Sequence, residues 1–172
     1  MTTKLTVLIG AVLSILILLR RASRPPATEL GRVADTDQFA DRVRNPENRR
    51  EPGVFVFRSA GALLYFNVDS VRERFFELLA GFGPARRAVY FMGAVPLVDL
   101  AGAEFLAELH GTLATRGIEL CLAGTPSSVR ETLVKAGFEE ECGPIVANQT
   151  VAAAIAAPSA QVAESAPTQP KT

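Results

Sequence analysis

The apolar and polar positions of this chain fall into blocks with different periods. Leu5 to Leu19, LTVLIGAVLSILILL, carries no charge, with Lys4 before it and Arg20, Arg21 and Arg24 after it. A bilayer-spanning helix needs about 20 apolar residues, with a lower limit of about 17. The run is shorter, so as a retained transmembrane helix it requires Lys4 and Arg20 to snorkel to the two interfaces. A signal peptide, whose apolar core is shorter, is the rival reading. The residues that follow, Arg20-Arg21-Ala22-Ser23-Arg24-Pro25-Pro26, do not form a small-residue cleavage site, which favours a retained helix. Arginines on its C-terminal side place the remainder of the chain in the cytoplasm, as the domain of a single-pass inner- or plasma-membrane protein.

Pro25-Pro26 ends that helix and opens a stiff linker, because proline cannot donate within a helix and restricts the residue before it. Glu29–Val33 predicts a first, edge strand. Ala34–Gly53 is polar and charged and reads as a long surface loop. Val54–Arg58 is β-branched and aromatic, a strand pattern. Ser59-Ala60-Gly61 reads as a turn and Ala62–Phe66 as a second strand, the two strands making a hairpin. A helix capped by Asn67, Asp69 or Ser70 follows, with Val71, Phe75, Leu78, Leu79 and Phe82 as its apolar stripe. Ser70 and Glu73 have the spacing of a capping box.

The best-patterned stretch runs from Ala88 to Leu122. Ala88–Met92 suits a buried parallel strand. Asp99 then stands where an N-cap belongs, ahead of Leu100, Ala103, Leu106, Leu109 or His110, and Leu113 at helical spacing. Gly117 ends that helix, and Ile118–Ala123 is the next apolar run, which completes a right-handed βαβ unit. Thr125 and Pro126 predict the start of another helix, with Val129, Leu133, Ala136 and Phe138 inward. Pro144–Ala147 reads as a short last strand, Thr150–Ala157 as a final helix and Pro158–Thr172 as a disordered tail. The fold class is α/β: one mixed β-sheet covered by α-helices, preceded by one transmembrane helix. The chain divides into residues 1–24 (membrane helix and basic flank), 25–53 (linker, edge strand and loop), 54–157 (the domain, beginning near 29 in a longer reading) and 158–172 (tail).

Composition narrows the chemistry. The 172 residues carry a formal net charge of +0, against the basic patch of a nucleic-acid binder. The two cysteines, Cys121 and Cys142, lack CxxC spacing, and Cys121 sits in an apolar strand as a small core hydrophobe. His110 is the sole histidine and has no Cys or His at ligand spacing, so no metal or cofactor is expected. Gly81-Phe82-Gly83 with Arg86-Arg87 lacks the spacing of a phosphate loop. No nucleophile, base and orienting group stand together, and no enzyme is expected. What remains is the start of the central helix. There Asp99 caps the N–H groups of Leu100, Ala101 and Gly102, and Gly102 allows close approach. These four residues are the candidate partner- or ligand-binding site; a plain capped helix start is the competing reading.

Leu97-Val98-Asp99-Leu100-Ala101-Gly102 resembles the Asp-Ser-Ser-Gly or Asp-Ser-Thr-Gly signature of STAS domains. Those domains occur at the C-termini of SulP anion transporters and in bacterial anti-sigma-factor antagonists. Leu30-Gly31-Arg32-Val33, Pro52–Arg58, Leu64-Tyr65-Phe66-Asn67-Val68 and Leu106-Ala107-Glu108-Leu109 fall in the order and spacing of the SulP type. The resemblance implies a non-enzymatic, membrane-anchored STAS domain acting in transporter regulation, assembly or trafficking. Its implied partners are the membrane, a polytopic transporter domain or a second copy of the chain, a cytoplasmic regulatory protein and a nucleotide. An anti-sigma-factor-antagonist-like signalling module is the alternative. Two departures matter. Ala101 has no hydroxyl where the phosphorylated antagonists carry their acceptor serine, which removes a phospho-switch at that position. A single candidate span cannot enclose an anion site between membrane repeats.

Overall fold

Pro25 and Pro26 separate two regions of different character in the computed structural model, which describes residues 2–158, with the backbone alone for residues 2, 3, 5 and 21. Before them, helix α1 runs from Thr2–Ser23. Its described apolar side chains are exposed on every face, Leu8 at 60%, Leu13 at 55% and Leu18 at 65%. The described uncharged run, residues 6–19, is about 21 Å long at about 1.5 Å per residue, against about 30 Å of bilayer hydrocarbon. Among the described residues, no helix is long and apolar enough to cross a membrane.

After the prolines come β1 (Ala27–Arg32), β2 (Phe39–Asp41), β3 (Val54–Ser59), α2 (Val68–Phe82) and β4 (Arg87–Phe91). Then follow α3 (Leu100–Ala114), β5 (Glu119–Ala123), α4 (Ser127–Lys135), α5 (Phe138–Cys142) and α6 (Val151–Ala156). The sheet order is β2-β1-β3-β4-β5. β3, β4 and β5 are parallel, and β1 is antiparallel to both β2 and β3. The mixed sheet read from the sequence is present.

Strand alternation sorts the core into two layers. Phe55, Phe57 and Tyr90 point to the face covered by α2 and α3, where Phe57 meets Phe75 at 5.0 Å and Tyr90 at 4.9 Å, edge to face. Val54, Val56 and Val89 point to the opposite face, against Val151 and Ala154 of α6. Arg87 secures that helix: its Nη1 donates to the carbonyls of Ala154, Ile155 and Ala157 at 2.8, 3.0 and 2.7 Å. The rest of its guanidinium pairs with Glu119.

Several local expectations need correction. β1 is an internal strand, because β2, buried in the stretch read as a long loop, pairs on its outer side. Ala62–Phe66 is not a strand and makes no hairpin with β3. Gly61, at φ +115°, turns the chain away, and its N–H donates to Ala94 O at 2.9 Å. Leu63 instead forms an isolated parallel bridge with Val98, in the segment that follows β4. α4 begins one residue late, with Pro126 at the N-cap, and the Thr125 hydroxyl is buried without a partner. Pro144–Ala147 is a loop, and Phe138 opens the short α5 after Gly137. The expected tail lies outside the described residues beyond Pro158.

Candidate functional site

Two loops meet at the C-terminal end of the parallel strands. One, residues 60–67, leaves β3; the other, residues 92–99, leaves β4 and leads into α3. Their backbones are laced together: Leu63 N donates to Leu97 O at 2.9 Å, and Asp99 N donates to Leu63 O at 3.1 Å. Asp99 supplies the third tie. Its Oδ1 accepts from Gly102 N at 2.8 Å, the expected cap, and its Oδ2 accepts from Tyr65 N at 2.9 Å. Both carboxylate oxygens are therefore engaged with backbone N–H groups, one in its own helix and one in the neighbouring loop.

Gly102 is buried where the loops cross. A Cβ placed there would stand 2.7 Å from Leu63 O and 2.9 Å from Val98 Cγ1. The close approach anticipated for this glycine is filled by the neighbouring loop. Leu100, assigned by its spacing to the core stripe, is 63% exposed. Ala101 is half-buried. The four candidate residues thus divide into a structural pair, Asp99 and Gly102, and a presented pair, Leu100 and Ala101.

The fold adds residues that sequence reasoning missed. Tyr65 is 74% exposed, and Phe66 packs against it edge to face with ring centroids 5.4 Å apart. Leu97 is also exposed. The signal lies in Ala62–Phe66, an apolar run directly after Gly61, but a strand assignment absorbs it. Asn67 fixes this loop. Its Oδ1 accepts from Leu64 N, and its Nδ2 donates to Ala62 O and to Ala22 O of α1, each at 3.0 Å. The last bond ties the C-terminal end of α1 to the loop, and a cavity of about 410 Å³ lined by Leu18, Ala22, Pro25, Leu64 and Phe66 lies between them.

Elsewhere, His110, Cys121 and Cys142 line one cavity of about 360 Å³. Burial, then the negative charge of Glu119 or Glu141, pushes both thiols up, which disfavours the reactive thiolate. Among the described residues, no cluster of His, Cys, Asp and Glu could hold a metal ion.

Comparison with known proteins settles the family. The STAS domain profile matches residues 45–163. The chain belongs to the STAS domain family. Relatives of this STAS protein are sulfate transporters. Sulfate transporter 1.1 of Arabidopsis thaliana is 28% identical over 172 residues, covering 95% of this chain and 26% of the transporter. Low affinity sulfate transporter 3 of Stylosanthes hamata is 31% identical over 159 residues, covering 86% of this chain and 25% of the relative. The chain therefore spans about a quarter of the length of these relatives. The fold matches the murine Solute Carrier 26 family member A9 anion transporter with a TM-score of 0.74 at 22% identity, over 87% of this chain and 25% of that one. It also matches a sulfate transporter family protein from Wolinella succinogenes, with a TM-score of 0.52 at 22% identity, over 66% of this chain and 92% of that one.

Proposed function

We propose that this protein is a non-enzymatic STAS domain held at the cytoplasmic face of a membrane by α1. There it serves the regulation, assembly or trafficking of a polytopic sulfate or anion transporter. The observation that carries the reading is the reach of the similarity to sulfate transporters. An alignment covering 95% of 172 residues leaves about 9 outside, so it enters α1 even if all of them are N-terminal. At least the part of α1 from about residue 10 onward, with its junction to the domain, thus lies within the aligned stretch. The apolar, unpacked faces of α1 support anchoring, with Lys4 and Arg20 extending its short apolar length by snorkelling.

Within the helix start, Leu100 and Ala101 make the partner contact and Asp99 with Gly102 hold them in place. With alanine at 101 the contact is constitutive at that position and not switched by phosphorylation.

The test is expression of the full chain with a polytopic anion transporter, followed by alkaline washing of membranes and affinity capture. The expected result is recovery in the washed membranes and co-capture of the transporter, weakened about tenfold by Leu100→Arg, which corresponds to about 1.4 kcal/mol. Because Leu100 is exposed, this substitution leaves the fold intact. Recovery in the soluble fraction would overturn the anchoring, and capture unchanged by Leu100→Arg would overturn the assigned contact.

A further inference from the structure

We infer that Tyr65 and Phe66, together with Arg20 and Arg24, form an interfacial contact with the headgroup layer of an anionic bilayer, an inference that rests on the reading of α1 as a membrane anchor. Four observations converge on it. Among the described residues outside α1, seven large hydrophobic side chains are exposed, and four of them lie at one end of the sheet: Tyr65, Phe66 and Leu97 on the two loops and Leu100 at the first residue of α3. Val43, Val134 and Val146 stand singly, and Val134, at the far end of α4, marks the opposite end of the domain.

That same end receives α1. Asn67 Nδ2 donates to Ala22 O, and Ala27, four residues beyond the helix end at Ser23, pairs with Ser59 at the close of β3. Phe66 and Leu18 border one cavity, with Asn67 as the polar side chain in its lining, so Phe66 stands beside the apolar surface of the helix. A helix inserted up to its arginines therefore brings this loop to the level of the headgroups. An amphipathic aromatic such as Tyr65 is favoured there, with its ring among the upper acyl carbons and its hydroxyl in water.

Charge selects the lipid. The chain contains no Asp or Glu before Glu29, while Arg20, Arg21 and Arg24 crowd the junction. Loop 60–67 carries no charge, the carboxylate of nearby Asp99 accepts from two backbone N–H groups, and Asp69 in the first turn of α2 is the one exposed carboxylate beside the loop, against three arginines. This end thus presents a basic, aromatic surface, which matches an anionic leaflet within the screening length of physiological salt.

The protein contains no tryptophan, so single substitutions give clean reporters. The full chain is reconstituted in phosphatidylglycerol-rich vesicles doped with brominated phosphatidylcholine as Tyr65→Trp, Leu13→Trp or Val134→Trp. The expected result is blue-shifted, strongly quenched emission from position 65 with the bromines near the headgroup. Position 13 is quenched by deeper bromines, and position 134 is unaffected. Exchanging phosphatidylglycerol for neutral lipid relieves the quenching at 65 and leaves that at 13. Quenching at 13 without quenching at 65 overturns the proposal and leaves the anchor standing. A blue shift at 65 that bromine does not touch overturns it in favour of a protein, or a second copy, covering the loop. Quenching at neither position overturns the anchor and the contact together.

Discussion

Asp99 is worth more than its cap. Replacing it with alanine frees Gly102 N and Tyr65 N together, and the cap alone contributes about 0.5–2 kcal/mol. Asp99→Ala is expected to lower the unfolding free energy measured by urea denaturation by at least that amount and to raise the exchange rate of the Tyr65 amide; an unchanged Tyr65 amide would refute the inter-loop tie. Gly102→Ala places a methyl 2.7 Å from a backbone carbonyl that the lacing holds in place, so it is expected to destabilise by about 1–3 kcal/mol despite alanine's better helix propensity. The same denaturation series measures it. Tyr90 makes a pH prediction. Burial pushes its hydroxyl well above the ordinary value of 10.0, against a smaller opposing effect of the Ser59 hydrogen bond of 2.6 Å. The folded state keeps a proton that the unfolded chain releases near pH 10, so this contribution is complete below pH 10 and is lost as pH rises above it. Tyr90→Phe is expected to flatten the alkaline fall in stability above pH 10, while losing about 1–3 kcal/mol at neutral pH because Ser59 Oγ is left buried without its partner.

At the scale of elements, the weight falls on attachments that bridge distant segments. α6 is only six residues long and could not persist alone. It is held by Val151 and Ala154 against the sheet and by Arg87 on its last carbonyls. Arg87→Met retains the apolar stem and removes the cap, so the α6 amides should lose hydrogen-exchange protection before the sheet does, at a cost of about 1–3 kcal/mol. Protection equal to wild type would show that packing alone holds the helix. The misread hairpin belongs to this scale too. Val54–Ser59 and Ala62–Phe66 have matching apolar content, and nothing local says that the second run pairs with the loop after β4. Gly61 permits the turn away from β3; the partner that captures the chain lies more than thirty residues further along.

At the scale of the molecule, α1 and the domain are joined by two prolines and the Asn67–Ala22 hydrogen bond, while the two core layers are built from residues after Pro26. Removing residues 1–23 is therefore expected to change stability by no more than about 1 kcal/mol, the worth of one hydrogen bond. It should also abolish recovery in membranes. A thermal melt and a fractionation of the shortened chain check both halves. Loss of folding would mean that α1 contributes to the core.

The sequence by itself determined what depends on short separations. It set the mixed α/β order, the βαβ unit around α3, the Asp99 cap three residues from its acceptor and the presence of a short final helix. Caps, turns and apolar periods are written within one or two turns of chain and can be read there. The tertiary structure alone decided which strand is the edge, where residues 62–66 pair, and that Leu100 faces outward while Gly102 is covered. Each of these is a choice among apolar surfaces of similar content, and the choice is made by contacts between residues far apart in the chain. The join of Asp99 to Tyr65 and of Asn67 to α1 follows the same rule, and those two bonds organise the end of the domain on which the proposed function rests.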